Sequence, residues 1–241
     1  MAKGSNIITH GLSGKLGKVT FVQSKRYGEH IRSQRGSIKP ALLNDAMKES
    51  SQRMASANVP AKAIFDAVRP HHKDGELWNK LVVIFRKQLK AGLPFHINDL
   101  KGLECHETST LDKLILCSQY RFQIAQKEDN LCIDLVMNEH PSWSYLKWKH
   151  DFQYQVSMVI VYPNLEDGSF IEETAHGPIT AFTTSPEPLS FEVPIPVFAD
   201  KYIAFMLATV CENGQAVHLP HVRGMRVVGM GERTTIRPEA I

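Results

Sequence analysis

The chain has 241 residues, 43% hydrophobic and 22% charged, enough for one large domain or two small ones. Fifteen Gly and thirteen Pro exclude a low-complexity chain, four Cys exclude a disulfide scaffold, and no apolar run approaches the roughly 18 residues of a membrane span. The net charge of +3 hides an asymmetry: residues 1–100 carry 17 Lys and Arg against 7 Asp and Glu, whereas residues 101–241 carry 11 against 18.

Residues 1–6 lead into no apolar core, so the expectation is a soluble chain made in a reducing cytoplasm without a signal peptide. Residues 1–36 are rich in Gly and basic side chains, and 19–22 (Val-Thr-Phe-Val) are followed by Lys25-Arg26-Tyr27-Gly28 and a second short run, 29–33. β-branched and aromatic residues around a Gly-containing turn predict a β-hairpin. Its expected interaction residues are Lys15, Lys18, Phe21, Lys25, Arg26, Arg32 and Arg35. A two-stranded hairpin is marginal alone in water, so this arm, residues 1–36, must dock on something.

A helical region follows over 37–94. Pro40 opens a helix-prone stretch over 41–57 that Pro60 is expected to end, and a second short helix is predicted over 61–69, stopped by Pro70. After Asp74 and Gly75, the residues Trp78, Leu81, Val82, Phe85 and Leu89 recur at helical spacing, and Gly92 with Pro94 closes that third helix. Lys80, Arg86, Lys87 and Lys90 lie among them, so the helix could rest on a membrane, but its apolar stripe is what packing against neighbours requires.

From about residue 95 the pattern changes to period two. Residues 120–125 and 131–137 flank a polar turn, and 152–162 alternate before becoming fully apolar at 158–161 ahead of a turn at 164–168. Residues 179–183, 189–197, 202–211 and 215–228 continue the series, with Asn213-Gly214 the strongest hairpin signal. Pro194 and Pro196 make 189–197 an edge strand. The expected fold class is α+β: a basic hairpin arm, a short helical group and, over 95–241, an antiparallel β-sandwich immunoglobulin-like in kind.

No catalytic constellation, cofactor site or metal site emerges. His71-His72, His218-Leu219-Pro220-His221 and Cys105-His106-Glu107 lack the spacings that specify zinc. Cys105, Cys117, Cys132 and Cys211 are scattered, the last three within apolar strand-like runs that suit buried small hydrophobes. Gly11-Leu12-Ser13-Gly14-Lys15 lacks the register of a phosphate loop. Trp143, Tyr145 and Trp148 interleaved with Lys147, Lys149 and His150 could stack sugars or bases, or could cap one end of the sandwich.

Gly11-Leu12-Ser13-Gly14-Lys15-Leu16-Gly17-Lys18-Val19, then Gly28, Ile31-Arg32, Pro40 and Gln52-Arg53, resembles an uncharacterised family of somewhat shorter proteins from Bacteroidota genomes. The specific likeness covers the N-terminal segment only, and the Trp of that family's turn is replaced here by Ser24 or Lys25. The resemblance implies a Gly-Lys-Val-Gly strand, an Ile-Arg strand, short helices and a β-rich C-terminal half, with residues 221–224 in the closing strand. It implies no activity.

The function expected from these features is non-enzymatic: a structural subunit of a phage-like particle or filament, self-associating as a homo-oligomer through the arm. The opposed charges of the two halves fit such a contact between copies. The alternative is a nucleic-acid-binding protein using the basic N-terminal region, and an enzyme of unknown class stands third. No membrane span and no small-molecule substrate are expected, and a virion or other assembled particle joins the cytoplasm as an expected location.

Overall fold

A computed structural model describes residues 13–17, 19–24, 28–33, 44–71, 75–107, 109–142, 152–217 and 222–233. They fall into two compact units, one ending at Lys48 and one beginning at Glu49.

The first unit contains the expected hairpin, with one strand more than the sequence suggested. Strands β2 (Val19–Ser24) and β3 (Gly28–Ser33) pair antiparallel, and a three-residue β1 (Gly14–Leu16) adds to the other side of β2. Gly17, at φ 58°, makes the left-handed corner between β1 and β2 that a side chain would strain. None of the side chains described in this unit is buried.

Helix α1 (Asp45–Val68) corrects the helical reading. Asn44 Oδ1 accepts the Met47 N–H at 2.8 Å, capping the start, and the helix then runs through Pro60 without ending. Proline in a helix interior forfeits a hydrogen bond and costs about 3 kcal/mol. Here Pro60 lies in the half of α1 that is buried, with Ala57, Ala61, Ala63, Ile64, Ala67 and Val68, while residues 49–56 are exposed. Packing of that face holds the helix through the break that local propensity alone predicts.

Helix α2 (Gly75–Lys90) agrees with the reading: Leu81, Val82 and Phe85 are buried, joined by Leu77. Leu93 N–H donates to Gln88 O and Gly92 N–H to Leu89 O, with Gly92 at φ 70°, a glycine-terminated helix end. Residues 95–119 are not strands, contrary to the expected start of the period-two pattern. Among the described residues they form irregular chain with one short α-helix, α3 (Leu111–Leu114), and 3-10 turns at Asn98–Leu100 and Cys117–Gln119. Ile97, Leu100, Leu111 and Leu114 are buried there at irregular spacings, which neither a strand nor a long helix could satisfy.

The strands of the second unit form two antiparallel sheets. The larger orders β7 (Phe170–Ala181), β6 (Phe152–Pro163) and β9 (Lys201–Glu212), with β11 (Arg223–Glu232) and the two-residue β10 (Gln215–Ala216) both pairing to β9. The smaller orders β4 (Tyr120–Lys127), β5 (Asn130–Met137) and β8 (Leu189–Pro194). As expected, β8 is an edge strand. It ends at Pro194, short of the expected 197, whereas β7 begins nine residues before the expected 179. The expected strand over 215–228 divides into β10 and β11.

One core lies between the sheets. It includes Tyr154, Val156, Met158, Ile160, Ala204, Met206, Ala208, Leu131, Ile133, Leu135 and Phe191. The other lies between the larger sheet and the helices, where Val159, Val161, Ile203, Phe205, Leu207, Met225 and Val227 meet Ile64, Leu77, Leu81 and Phe85. The fold is α+β, a β-sandwich of two antiparallel sheets whose outer five-stranded face is covered by helices. A strand buried on both faces has no polar side to show, which is why residues 158–161 are continuously apolar.

Candidate functional site

The site that the sequence singles out lies on the three-stranded arm, and strand register sorts its residues. Row Gly14–Phe21–Ile31 and the pair Leu16–Val19 point to one face, and the row Lys15–Thr20–Arg32 points to the other. The first face gathers Leu16, Val19, Phe21 and Ile31 at one end and the polar pair Gln23–Glu29 at the other, while the second carries Lys15 and Arg32 beside the Val22–His30 pair. Leu16 is 71% exposed and Ile31 52%, with Val19 exposed and Phe21 half-buried beside them. Of the expected interaction residues, the fold places Lys15 and Arg32 in one row on either side of β2 and sets Phe21 on the opposite face. Lys18, Lys25, Arg26 and Arg35 lie outside the described residues, as do the aromatic cluster at 143–150 and His72, His218 and His221.

A second basic feature was only half legible. Arg53 of α1 and Arg86, Lys87 and Lys90 of α2 line a shallow groove of about 300 Å³, with Ser50 and Val83 between them. Arg53 is paired with Glu49 at 2.8 Å. The sequence showed three of these cations on one helix, and only the packing of α1 beside α2 supplies the fourth.

The helix-facing side of the larger sheet carries a polar strip that no sequence motif marked. Ser157 Oγ lies 2.8 Å from His176 Nδ1, directly across β6 and β7. Gln155 Nε2 donates to Gly177 O at 2.8 Å, and Thr209 sits in the register row between Gln155 and Arg223. Farther along β7, His71 Nε2 and Glu172 Oε1 are 2.6 Å apart, and Thr174 Oγ1 donates to the same carboxylate at 2.8 Å. Arg223 Nη1 donates to His71 O at 3.0 Å. Burial pushes the Arg223 guanidinium below its ordinary range and the Cys211 thiol above it. With Ser157 only 3% exposed, the strip serves to satisfy polar groups that the sheet buries, and the His71–Glu172 pair ties the end of α1 to β7.

On the opposite side of that sheet, Glu104 accepts the backbone N–H groups of Leu111 and Asp112 at 2.8 and 3.3 Å, capping α3. Arg226 bridges Asp112 and Glu104. Burial raises the Glu104 carboxyl above its ordinary range, against the opposing pull of the two N–H groups and Arg226.

Cys105 is buried, and His106 Nδ1 accepts the Ser109 N–H at 3.1 Å, a local turn contact. Among the described residues no three His, Cys, Asp or Glu side chains converge as a metal site would, and no helix is long and apolar enough to cross a membrane. Cys211 is buried and Cys132 half-buried, while Cys117, expected to be buried, is exposed because residues 117–119 form a surface turn instead of a strand. No family model matches the chain, and no curated protein matches it.

Proposed function

We propose that the chain is a non-enzymatic assembly subunit that joins copies of itself through the N-terminal arm, in a particle or filament of the kind phages build. One observation carries this reading: the arm is a three-stranded sheet with an apolar cluster on one face, Leu16, Val19, Phe21 and Ile31, that is left largely in water. Exposed contiguous apolar surface on an ordered sheet marks a place where another surface fits. The charge imbalance between residues 1–100 and 101–241 favours a contact between unlike ends of two copies. The likeness of residues 11–53 to the Bacteroidota family belongs to the same proposal and adds no activity. Sedimentation of the full chain beside a chain lacking residues 1–36 tests it. The full chain assembles at tens of micromolar while the shortened chain stays folded and monomeric; a monomeric full chain ends the reading.

A second reading, nucleic-acid binding, draws on the Lys15–Thr20–Arg32 row and on the groove of Arg53, Arg86, Lys87 and Lys90. Each phosphate neutralised on duplex DNA contributes about −0.9 to the log–log salt slope. Binding at low salt whose slope flattens by two or more units in R86E/K87E/K90E favours this reading. No retention on DNA at low salt removes it.

A further inference from the structure

Among the described residues, exposed apolar side chains concentrate a second time, around a groove of about 760 Å³ at the end of the larger sheet. Three segments distant in sequence build it. One wall is the chain after α2, with Leu93, Pro94 and Phe95. Gln88, buried on α2, holds this wall: its Nε2 donates to His96 O at 3.0 Å and to Asp99 Oδ2 at 2.9 Å, and its Oε1 accepts the His96 N–H at 3.2 Å.

The second wall is the β6–β7 turn leading into Phe170 and Ile171. Asn164 Oδ1 accepts the Glu166 and Asp167 N–H groups, and Asp167 Oδ1 accepts both the Ser169 N–H and its hydroxyl. The third is the loop from β8 to β9, which presents Phe198 at 90% exposure beside Val197 at 78%. That loop is clamped: Arg233 Nη1 donates to Pro196 O and Val197 O, its Nη2 pairs with Asp129 Oδ1, and its N–H donates to Asp200 O. Phe198 is therefore held out in water by a hydrogen-bonded scaffold.

We propose that this groove is the receptor for the arm of a second copy of the chain, with the arm's apolar cluster turned inward. The inference rests on the assembly reading above and names the surface that completes it. The two surfaces are complementary in kind. The arm offers Leu16, Val19, Phe21 and Ile31 on one face of a sheet, and the groove offers Leu93, Phe170, Ile171 and Phe198.

Charge selects the same occupant. The groove is lined by Glu166 and Asp200, with Asp167 on the same turn, and its Lys201 is paired with Glu232 at 3.9 Å. The arm brings Lys15 and Arg32 on its strands against one carboxylate, Glu29, and residues 1–36 carry seven Lys and Arg and one Glu in the sequence. A groove of this volume admits several side chains and not a folded unit, so the apolar cluster enters while the Lys15–Thr20–Arg32 row stays outside. An aromatic anchor already fixed in place lowers the cost of ordering on docking. Because arm and groove are different surfaces, the contact is head-to-tail: it closes as a ring or runs on as a filament.

Two full-length variants test this, each damaging one surface at exposed positions that the fold does not need: L16D/I31D in the arm and F198D in the groove. Circular dichroism and melting like wild type establish that both fold. If the proposal holds, wild type assembles and each variant alone is monomeric. An equimolar mixture of the two then gives a capped one-to-one dimer, since one variant keeps an intact groove and the other an intact arm. If F198D assembles like wild type while L16D/I31D does not, the arm docks elsewhere, and the groove proposal falls while the assembly reading stands. If the mixture stays monomeric, the pairing is likewise overturned. A monomeric wild type, or an L16D/I31D chain that assembles normally, overturns both.

Discussion

The arm sheet and the central sheet use the same backbone pattern and reach opposite outcomes. β2 and β3 form six antiparallel pairs with no buried side chain among those described, whereas β6 and β9 form ten pairs and are buried on both faces over most of their length. Hydrogen bonding between strands is common to both, and its net worth is modest because water competes for the same groups. What separates them is apolar area removed from water, about 25 cal/mol per Å². The central sheet is where the fold's stability resides, and the arm is where its apolar surface is still unspent.

Breaking the buried side of this comparison has the largest effect. Phe205 is fully buried on β9 among Val159, Val161, Val227 and the helices. Phe205→Ala should destabilise the chain by about 3–5 kcal/mol through lost burial and the cavity left behind. Urea unfolding measures it. A cost below about 1 kcal/mol would mean that the helices do not rest on this face.

Next comes a close approach. Gly224 on β11 lies against α3, and a Cβ there would stand 2.7 Å from Leu114 Cδ1 and 2.9 Å from Leu111 Cα. The Leu111 backbone cannot yield as a flexible side chain does, so Gly224→Ala should cost about 1–3 kcal/mol by overpacking. A neutral result in thermal unfolding would show that α3 sits farther from the sheet.

The Glu104 carboxyl beneath α3 gives a smaller, pH-dependent effect. Burial raises its pKa in the folded chain above the ordinary 4.5. A raised folded pKa means that the folded state holds the proton more tightly than the unfolded one. The stability so gained is complete below pH 4.5 and is lost as pH rises through the folded value. Glu104→Gln removes this dependence, so its stability relative to wild type should improve as pH rises above 4.5 and then level off. The opposite trend in paired urea titrations would mean that Arg226 and the α3 N–H groups outweigh burial.

These contrasts were unevenly legible in the sequence. Asn213-Gly214 announced its turn because both positions take positive φ, 52° and 76°, where those two residues pay the least strain. The apolar run at 158–161 was visible too, although its reason, burial on both faces, needed the helices in place. Pro60 misled because its penalty is local while the packing that offsets it comes from residues far along the chain. Residues 95–119 misled because an irregular segment can bury Ile97, Leu100, Leu111 and Leu114 with no period at all. The arm's cations could be read from the sequence, but their separation from Phe21 is set by a register that includes the three-residue β1. The groove was invisible for a different reason: Leu93, Phe170 and Phe198 are brought together only by the tertiary fold.

The smallest expected effect is the sharpest test of the comparison, because it repeats one chemical change in both sheets. Ile203, on β9, is fully buried, and Ile203→Ala should cost about 2–5 kcal/mol. Ile31, on β3, is 52% exposed in a sheet without a buried core, and Ile31→Ala should change stability by less than about 0.5 kcal/mol. Measured below the concentration at which copies associate, the difference between the two variants reports burial alone. Raising the protein concentration should then separate them in the other direction. An apolar cluster that other copies cover makes the Ile31 variant weaker in self-association while its unfolding midpoint in the monomer is unmoved. An Ile31 cost as large as that of Ile203 in the dilute monomer would show that the arm's apolar cluster is already covered within its own chain, and the contrast between the two sheets would vanish.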